Sequence, residues 1–296
     1  MSFAKAPALT LPVVLCLVGL LGCAQSAEEL ARADERLAGL RIDTVAGLRI
    51  VCLQAQPAGC PSTTAHPSMI NETDRTTYVA TEDKGASASL FRAGSGTTNQ
   101  RAYVFAASYS NNRTIEVIVN AADNPDVNQA RQKAVALSTE LGRMPACLLK
   151  EVKEVKIQNT AGLGLETGGI AAAALTATSS VFIFEDFFNR SRQGRTAEEV
   201  LLHELAHLLF DNPTSGYATF AYKNAVVEDG VYVSRYAAGV RATSPMQGDR
   251  EDVAESFVAY YGAKFRAERV GAFFANSVRS AIPNRIAYFE RFCPTA

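Results

Sequence analysis

The alternation of hydrophobic and polar residues along the chain changes character near residue 123. Before this point, short alternating or β-rich runs predict strands, and Ser110-Asn111-Asn112 predicts a turn between the two clearest of them. The predicted strands cover residues 48–53, 77–81, 103–109 and 114–120. A polar helix is predicted over residues 28–40, and the Pro-, Ser-, Thr- and Gly-rich stretch 54–96 otherwise predicts loop.

After residue 123, apolar residues recur three and four positions apart, which is the helical period. The predicted elements are a helix over 123–141, strands over 152–157 and 181–184, and helices over 200–210, from Asp249 onwards and over 278–292. This order of a helix, strands and then further helices favours an α+β fold. We therefore divide the chain into a β-rich N-terminal region, residues 27–122, and an α+β domain, residues 123–296.

The helix predicted over residues 200–210 contains two of the three histidines in the chain. His203 and His207 flank Glu204 in the pattern H-E-x-x-H. Residues four apart on a helix have Cβ atoms about 5–6 Å from each other, so both imidazoles can bind one Zn²⁺ at about 2.0–2.1 Å. Glu204 projects about 100° away from His203. It would therefore lie beside the metal, where it can take a proton from a bound water.

The residues around this motif favour an active-site helix. Thr196 and Glu199 form a T-x-x-E capping box before it, and Asp211-Asn212-Pro213 ends it. The alternative is a core helix with two hydrogen-bonded histidines. In that case a buried Glu204 carboxylate would be costly unless it had a partner or a metal beside it.

Two histidines leave a zinc ion without its third protein ligand. Pro213 occupies the position at which an H-E-x-x-H-x-x-G-x-x-H site would place another histidine, so the remaining source is a carboxylate further on. Glu251 and Glu255 share one helix face, whereas Asp252 lies about 100° off that face. Asp249 can cap this helix. The alternative is a solvated acidic first turn, which the helix dipole favours in any case.

The two motifs together resemble a known family. H-E-L-A-H at 203–207 followed by E-D-V-A-E-S-F at 251–257 is similar to the gluzincin zinc metallopeptidases. The long interval between the motifs is most similar to the anthrax lethal-factor-like branch. The resemblance covers residues 123–296 and implies a zincin-like domain, with a small mixed sheet, an active-site helix and C-terminal helices.

The resemblance also implies roles for the acidic pair. It assigns Glu251 to the metal, and the predicted first-turn position of Glu251 favours an ionised carboxylate there. It assigns Glu255 to a hydrogen bond that orients His203. In this family the strand at the edge of the sheet pairs with an extended substrate, and we expect residues 181–184 to be that edge strand.

The expected reaction is hydrolysis of a peptide bond in a peptide or protein substrate. Zinc would lower the pKa of its water toward about 7, and Glu204 would take the proton as general base and pass it to the leaving amine. The oxyanion needs a further donor. Gluzincins commonly use a Tyr or His between the two motifs, so Tyr232 and Tyr236 are candidates, with ordinary packing as the alternative for both.

The N-terminus predicts export. The apolar run over residues 9–21 has the length of a signal-peptide core and is short for a membrane span. Leu20-Leu21-Gly22-Cys23 resembles a bacterial lipobox, which implies a lipid on Cys23 and a place in the outer membrane. The alternative is ordinary cleavage after Ser26 or Ala27. We assign residues 1–26 to the signal-peptide region, which ends before Cys23 if that residue is lipidated. Either reading makes the mature protein extracytoplasmic, whether lipid-anchored, periplasmic or secreted.

Four cysteines besides Cys23 belong to the mature chain, and in an oxidising compartment they favour two disulfides. Cys52 and Cys60 would close a short loop, which leaves Cys147 to bond Cys293. Four free buried thiols are the alternative. A cysteine-rich zinc site is disfavoured because the chain has no C-x-x-C pair.

Composition narrows the choice of partners. The formal net charge of −1 gives no electrostatic basis for binding nucleic acid or anionic lipid, so we expect membrane contact only through an N-terminal lipid. His66 lies in the predicted loop and is interpreted as a surface residue, or else as a pro-segment or auxiliary ligand. Two other functions remain open. One is a non-catalytic binding protein, which would not need Glu204, and the other is a zinc-dependent cell-wall amidase, which generally uses other His/Asp patterns.

Overall fold

The computed structural model describes residues 27–53, 60, 64, 69–87, 101–158, 172–188, 197–211 and 216–295. The predicted α+β fold is confirmed, because a mixed sheet is followed by a helical C-terminal half. Residues 1–26, and with them the signal peptide and Cys23, lie outside the described residues. His66 and Thr196 also lie outside them.

Within the described residues, the main sheet has six strands in the order β3-β4-β5-β6-β8-β7. These strands are β3 (Tyr78–Ser87), β4 (Ala102–Tyr109), β5 (Thr114–Asn120), β6 (Glu154–Gln158), β7 (Ala172–Leu175) and β8 (Ser180–Phe184). The predicted hairpin is confirmed as the antiparallel pair β4–β5. The next two pairs, β5–β6 and β6–β8, are parallel. One sheet therefore runs across residues 122 and 123 and joins strands from the two predicted regions.

One sheet prediction is wrong. The strand over residues 181–184 is β8, and it lies between β6 and β7 instead of at the edge. The edge on this side is β7, which pairs antiparallel with β8. Its sequence, Ala-Ala-Ala-Leu, has neither the alternation nor the β-branched residues that indicate a strand, so the pattern could not predict it.

A second, two-stranded sheet follows the N-terminal helix α1 (Ala27–Arg36). It is the antiparallel hairpin of β1 (Ile42–Val45) and β2 (Leu48–Val51). Both turn residues, Ala46 and Gly47, have positive φ, at 50° and 80°. This is the turn geometry that favours Asn-Gly. Because Ala stands in the Asn position, the sequence contains no turn signal here and does not predict β1.

Most of the remaining described residues lie in ten further helices. They are α2 (Val127–Leu141), α3 (Ala146–Leu149), α4 (Glu185–Phe188), α5 (Ala197–Phe210), α6 (Phe220–Asp229), α7 (Arg235–Thr243), α8 (Pro245–Phe265), α9 (Ala267–Val270), α10 (Ala272–Ala281) and α11 (Pro283–Phe289). A short 3₁₀ turn, Thr176–Thr178, separates β7 from β8.

Three predicted helix boundaries are corrected by local chemistry. The helix predicted from residue 123 begins at Val127, because the Asp126 side chain accepts from Asn128 N at 2.9 Å and caps it. The helix predicted from Asp249 begins four residues earlier at Pro245, a residue suited to the first helical position. The helix predicted over 278–292 is two helices, separated at Ile282 before Pro283.

The core lies between one face of the sheet and the helices α2 and α5. Inward-facing residues of the strands meet the apolar faces of both helices and are fully buried. They include Val117, Val119, Val155, Ile157, Val181 and Ile183 from the sheet, Leu137 and Leu141 from α2, and Leu201, Leu202 and Leu205 from α5. Full burial of a side chain of this size contributes about 1.5–3 kcal/mol, so the packing fixes α5 firmly against the sheet.

Helix α8 is buried on nearly all sides and packs against α5, α7 and α10. The structure contains both disulfides that the spacing predicted, Cys52–Cys60 and Cys147–Cys293. The second ties α3 to the end of the chain, and two such bonds are typical of an oxidising, extracytoplasmic compartment. Within the described residues, no helix is long and apolar enough to cross a membrane.

Candidate metal centre

The candidate metal centre lies where α5 and α8 pack against each other. His203 and His207 extend from α5 and Glu251 from α8, and all three are buried. The Nε2 atoms of the two histidines are 3.1 Å apart. Glu251 Oε2 lies 3.2 Å from Nε2 of His203 and 3.5 Å from Nε2 of His207. Three potential ligand atoms thus form a nearly equilateral triangle.

The size of this triangle fits a tetrahedral zinc ion. With Zn–N and Zn–O bonds of about 2.0–2.1 Å, neighbouring ligand atoms of a tetrahedron are about 3.3–3.4 Å apart. The three observed distances fall on both sides of this value. The triangle of ligand atoms therefore matches one face of a zinc coordination tetrahedron.

The hydrogen-bonding partners of the two imidazoles support the same conclusion. Nδ1 of His203 lies 3.1 Å from Glu255 Oε1, in a bent contact, and Nδ1 of His207 lies 3.2 Å from Asp211 Oδ2. A carboxylate only accepts hydrogen bonds, so each neutral ring carries its proton on Nδ1. Both Nε2 lone pairs then face a Glu251 oxygen. Three acceptors at this separation repel one another unless a positive charge, either a proton on one Nε2 or a metal ion, lies between them.

The pKa shifts show that the site attracts positive charge. Burial by itself would lower the pKa of His203, but the contacts with Glu251 and Glu255 outweigh it and raise that pKa. For His207 burial also acts downward, yet Asp211 and Glu251 raise the pKa to about 10. The pKa of Glu251 is lowered by both histidines although burial opposes the shift. Each shift favours a cation bound among these groups.

Glu204 is half-buried and is not part of the triangle. Removal of its carboxylate from water raises its pKa, while the two histidines act in the opposite direction. A backbone hydrogen bond from Ala174 of β7 also reaches it. Glu204 therefore lies between the metal position and the edge strand, with a raised pKa that suits a group which takes up and releases a proton.

The structure separates the two candidate tyrosines. The ring of Tyr236, in the first turn of α7, lies 6.5 Å from the ring of His203 and remains 41 % exposed. Close packing of α7 on α8 holds it there. A Cβ atom at Gly248 would lie 2.2 Å from Cα of Arg241, so only glycine permits this approach.

Tyr232 is placed differently. Its backbone pairs with β2 through Arg49 O and Val51 N, at 2.8 and 2.9 Å. Its side chain packs against the small cluster that contains Ile50 and Cys52. The side chain of Tyr232 therefore packs in this cluster, whereas the ring of Tyr236 lies beside that of His203.

Two further acidic residues of α8, Asp252 and Asp249, pair with arginine side chains. Asp252, the outside candidate for the third ligand, accepts two hydrogen bonds from Arg285 at 2.8 and 2.9 Å and one from Tyr222 at 2.8 Å. It faces away from the metal position, as its offset of about 100° from Glu251 requires. Asp249 does not cap α8 but pairs with Arg241.

The sequence did not predict four residues that support the ligands. Asp211 contacts His207, and Arg250 donates to Asp211. Gln247 donates to Glu251, and Thr64 donates to Glu255. The i,i+4 spacing of His207 and Asp211 and of Gln247 and Glu251 is a signal that could have revealed two of these contacts. Thr64, which is 191 residues from Glu255, gives no such signal.

No protein-family model, no curated protein and no solved structure matches this chain. The chemistry of the site therefore rests on its own geometry. That geometry is a buried His-His-Glu group of the H-E-x-x-H type, with two histidines on one helix and a carboxylate from another.

Proposed function

We propose that this protein is a zinc metallopeptidase of the gluzincin type, most similar to the lethal-factor-like branch. The observation that carries the proposal is the triangle of His203 Nε2, His207 Nε2 and Glu251 Oε2, with Glu204 adjacent but outside it. A purely structural zinc site fills its fourth position with a protein ligand and needs no base. Three ligands, with a carboxylate beside them that is not itself a ligand, are what hydrolysis requires.

The donor set favours zinc among the common metals. Two imidazole nitrogens and one carboxylate oxygen are a frequent catalytic zinc set, whereas Mg²⁺ and Ca²⁺ prefer oxygen ligands alone. When bound, a Zn²⁺ ion supplies two things, a water made more acidic and a polarised carbonyl.

Two residues near the metal position have separate roles in the proposed reaction, one in proton transfer and the other in binding the oxyanion. Glu204 takes the proton from the attacking water and delivers it to the leaving amine, and its raised pKa suits this exchange. The Tyr236 hydroxyl, on α7, donates a hydrogen bond to the oxyanion that forms. Its position beside His203 and its exposure to solvent support this role.

The edge strand β7 gives the substrate a place to bind. Among the described strands it ends the sheet, and its Ala174 backbone is hydrogen-bonded to Glu204. An extended peptide that pairs with this edge would lie next to the catalytic carboxylate. Three of the four residues of β7, Ala172–Leu175, are alanines, and their small side chains leave room for a neighbouring strand.

The test compares zinc-loaded wild type with Glu204→Gln. The variant keeps the three ligands, so we expect unchanged zinc content and unfolding temperature. We also expect peptide hydrolysis to fall by about 10²–10⁴-fold, the range typical for loss of a general base. Glu228→Gln, the same substitution at an exposed helical position, is the matched control.

Three outcomes distinguish the candidate functions. Casein or peptide cleavage by the wild type that Glu204→Gln loses supports the peptidase. Cleavage of peptidoglycan but not of peptides would indicate an amidase. Zinc binding without any hydrolysis would indicate a binding protein, and full peptidase activity of metal-loaded Glu204→Gln would contradict the mechanism.

The proposed location is outside the cytoplasm, either as an outer-membrane lipoprotein or as a periplasmic or secreted protein. The two disulfides support export. The lipobox-like Leu20-Leu21-Gly22-Cys23 supports the lipid anchor. Lipidation predicts that Cys23→Ser releases the protein from membranes. A wild-type mature N-terminus at Ala27 or Glu28 would exclude it.

A further inference from the structure

The two oxygens of the Glu251 carboxylate have different partners. Oε2 faces the histidines, at 3.2 Å from His203 Nε2 and 3.5 Å from His207 Nε2. Oε1 accepts a hydrogen bond of 2.6 Å from Nε2 of Gln247, one helical turn earlier on α8. One oxygen is thus available to a metal, and the other is already engaged.

The orientation of the Gln247 amide is fixed by its second contact. Its Oε1 accepts from Arg250 Nη1 at 3.3 Å. Arginine only donates and a carboxylate only accepts, so a flipped amide would place a donor against Arg250 and an acceptor against Glu251. Gln247 can therefore present only its N–H to Glu251.

Arg250 is held in turn by the residue that supports His207. Its Nε and Nη2 atoms lie 2.7 and 2.6 Å from Asp211 Oδ2. Asp211 is 3.2 Å from Nδ1 of His207. The chain of contacts from Glu251 through Gln247, Arg250 and Asp211 ends at His207, so it links two ligands of the same metal position.

We propose that Gln247 and Arg250 are positioning residues that hold Glu251 as a one-oxygen ligand and thereby keep the fourth coordination position open. A carboxylate is able to bind a metal through one oxygen or two. With both oxygens it would occupy the position that a catalytic zinc site leaves to water. The hydrogen bond from Gln247 competes for Oε1 and favours the one-oxygen mode. This inference rests on the metal centre of the proposed function, but not on peptide cleavage.

The experiment uses the full mature protein and replaces Zn²⁺ with Co²⁺. The visible absorption of Co²⁺ is strong in four-coordinate sites and weaker when more ligands bind. Gln247→Met keeps the length of the side chain and its preference for helix but cannot donate a hydrogen bond. Gln132→Met, at an exposed position of α2, is the matched control. Zinc affinity is measured in parallel by competition with a chelator.

We expect Gln247→Met to give a weaker visible absorption of Co²⁺ and a zinc affinity lower by about 10-fold. This is the low end of the loss in affinity that follows removal of a residue hydrogen-bonded to a metal ligand. The control should resemble the wild type in both measurements. Arg250→Lys preserves a charge near Asp211 but cannot hold Asp211 and Gln247 together, so its spectrum should shift in the same direction.

Two results would overturn the inference. If Gln247→Met and Arg250→Lys both keep the wild-type spectrum and zinc affinity, Gln247 does not set the coordination mode, although the metal centre stands. If the wild type binds neither metal, the metal centre and this inference fail together. Since Gln247 is only partly buried, we expect the variant to fold, and its unfolding temperature verifies this.

Discussion

His203 and His207 face the same point, yet different parts of the chain support them. Nδ1 of His207 contacts Asp211, four residues further along the chain and directly after α5, and Asp211 is held by Arg250. Nδ1 of His203 contacts Glu255 on α8. Glu255 Oε2 in turn accepts from the backbone N of Thr64 at 2.8 Å.

The difference between the two sides assigns a role to the N-terminal region. Thr64 also donates its hydroxyl to the backbone oxygen of Glu255 at 2.9 Å. It lies four residues after Cys60, which is bonded to Cys52 beside β2. Residues before the H-E-x-x-H helix therefore complete the support of one histidine, while among the described residues the contacts of the other come from Asp211, directly after α5, and from Arg250 on α8.

The largest expected effect comes from removing the ligand that both sides share. We expect Glu251→Ala to lose tight zinc binding. Its zinc affinity should fall by more than the roughly 10–100-fold typical for loss of a residue that only hydrogen-bonds to a ligand. Two imidazoles would remain, with no third protein ligand. Competition with a chelator measures the affinity. Zinc binding at the wild-type level in this variant would show that the ligand assignment is wrong.

Asp252→Ala is the control for that variant, because Asp252 is adjacent on α8 but faces the buried Arg285. Removing one partner of a buried ion pair costs about 3–5 kcal/mol. Asp229 still pairs with Arg285 at 3.0 Å, so we expect the low end of this range. The unfolding free energy should fall, while the folded variant should keep its zinc affinity.

The next effect separates the two histidines. Glu255→Ala leaves Nδ1 of His203 and the N–H of Thr64 without their shared acceptor, and Thr64 is only 1 % exposed. Asp211→Ala instead releases Arg250, whose side chain is 30 % exposed and can turn to water. Loss of a residue that hydrogen-bonds to a metal ligand typically weakens metal affinity by about 10–100-fold. We expect the loss of zinc affinity to lie near the top of this range for Glu255→Ala and near the bottom for Asp211→Ala.

Zinc titrations of the two variants against the same chelator decide the order. Equal losses would mean that the contact with Thr64 adds nothing to the support of His203. A larger loss for Asp211→Ala would reverse the comparison and show that the support through Arg250 is the stronger one.

The same contrast shows which parts of the site the sequence could predict. His203, Glu204 and His207 are adjacent on one helix, so their spacing alone reports their geometry. Glu251 and Glu255 followed from the resemblance of the second motif, because no spacing rule connects residues 48 positions apart. Thr64 could not be predicted, since its contact joins two residues 191 positions apart in the chain.

The fold divides in a similar way. The hairpin β4–β5 and the helix α5 have strong periodic patterns, and both were predicted. The strand β7 has only alanines and one leucine, so its identity as the edge of the sheet depends on its pairing with β8 and not on its own composition. This is why the predicted edge strand was the wrong one, although it lay next to the correct one.

The smallest expected effect is that of Thr64→Val. Valine has nearly the shape of threonine, so the backbone N–H bond to Glu255 Oε2 can persist. The variant loses the hydroxyl contacts to Glu255 O and Oε2, at 2.9 and 3.2 Å. Hydrogen bonds of this kind contribute about 0.5–1.5 kcal/mol each. We expect a small loss of stability and a zinc affinity only a few-fold weaker, measured by the same chelator competition.

A double variant makes this small effect informative. If Thr64 acts on the metal only through Glu255, adding Thr64→Val to Glu255→Ala should leave the zinc affinity of Glu255→Ala unchanged, because residues in one network are not additive. If the two losses in affinity add instead, Thr64 reaches the metal by another route. In that case the N-terminal region would support the whole metal position, and the difference between His203 and His207 would no longer hold.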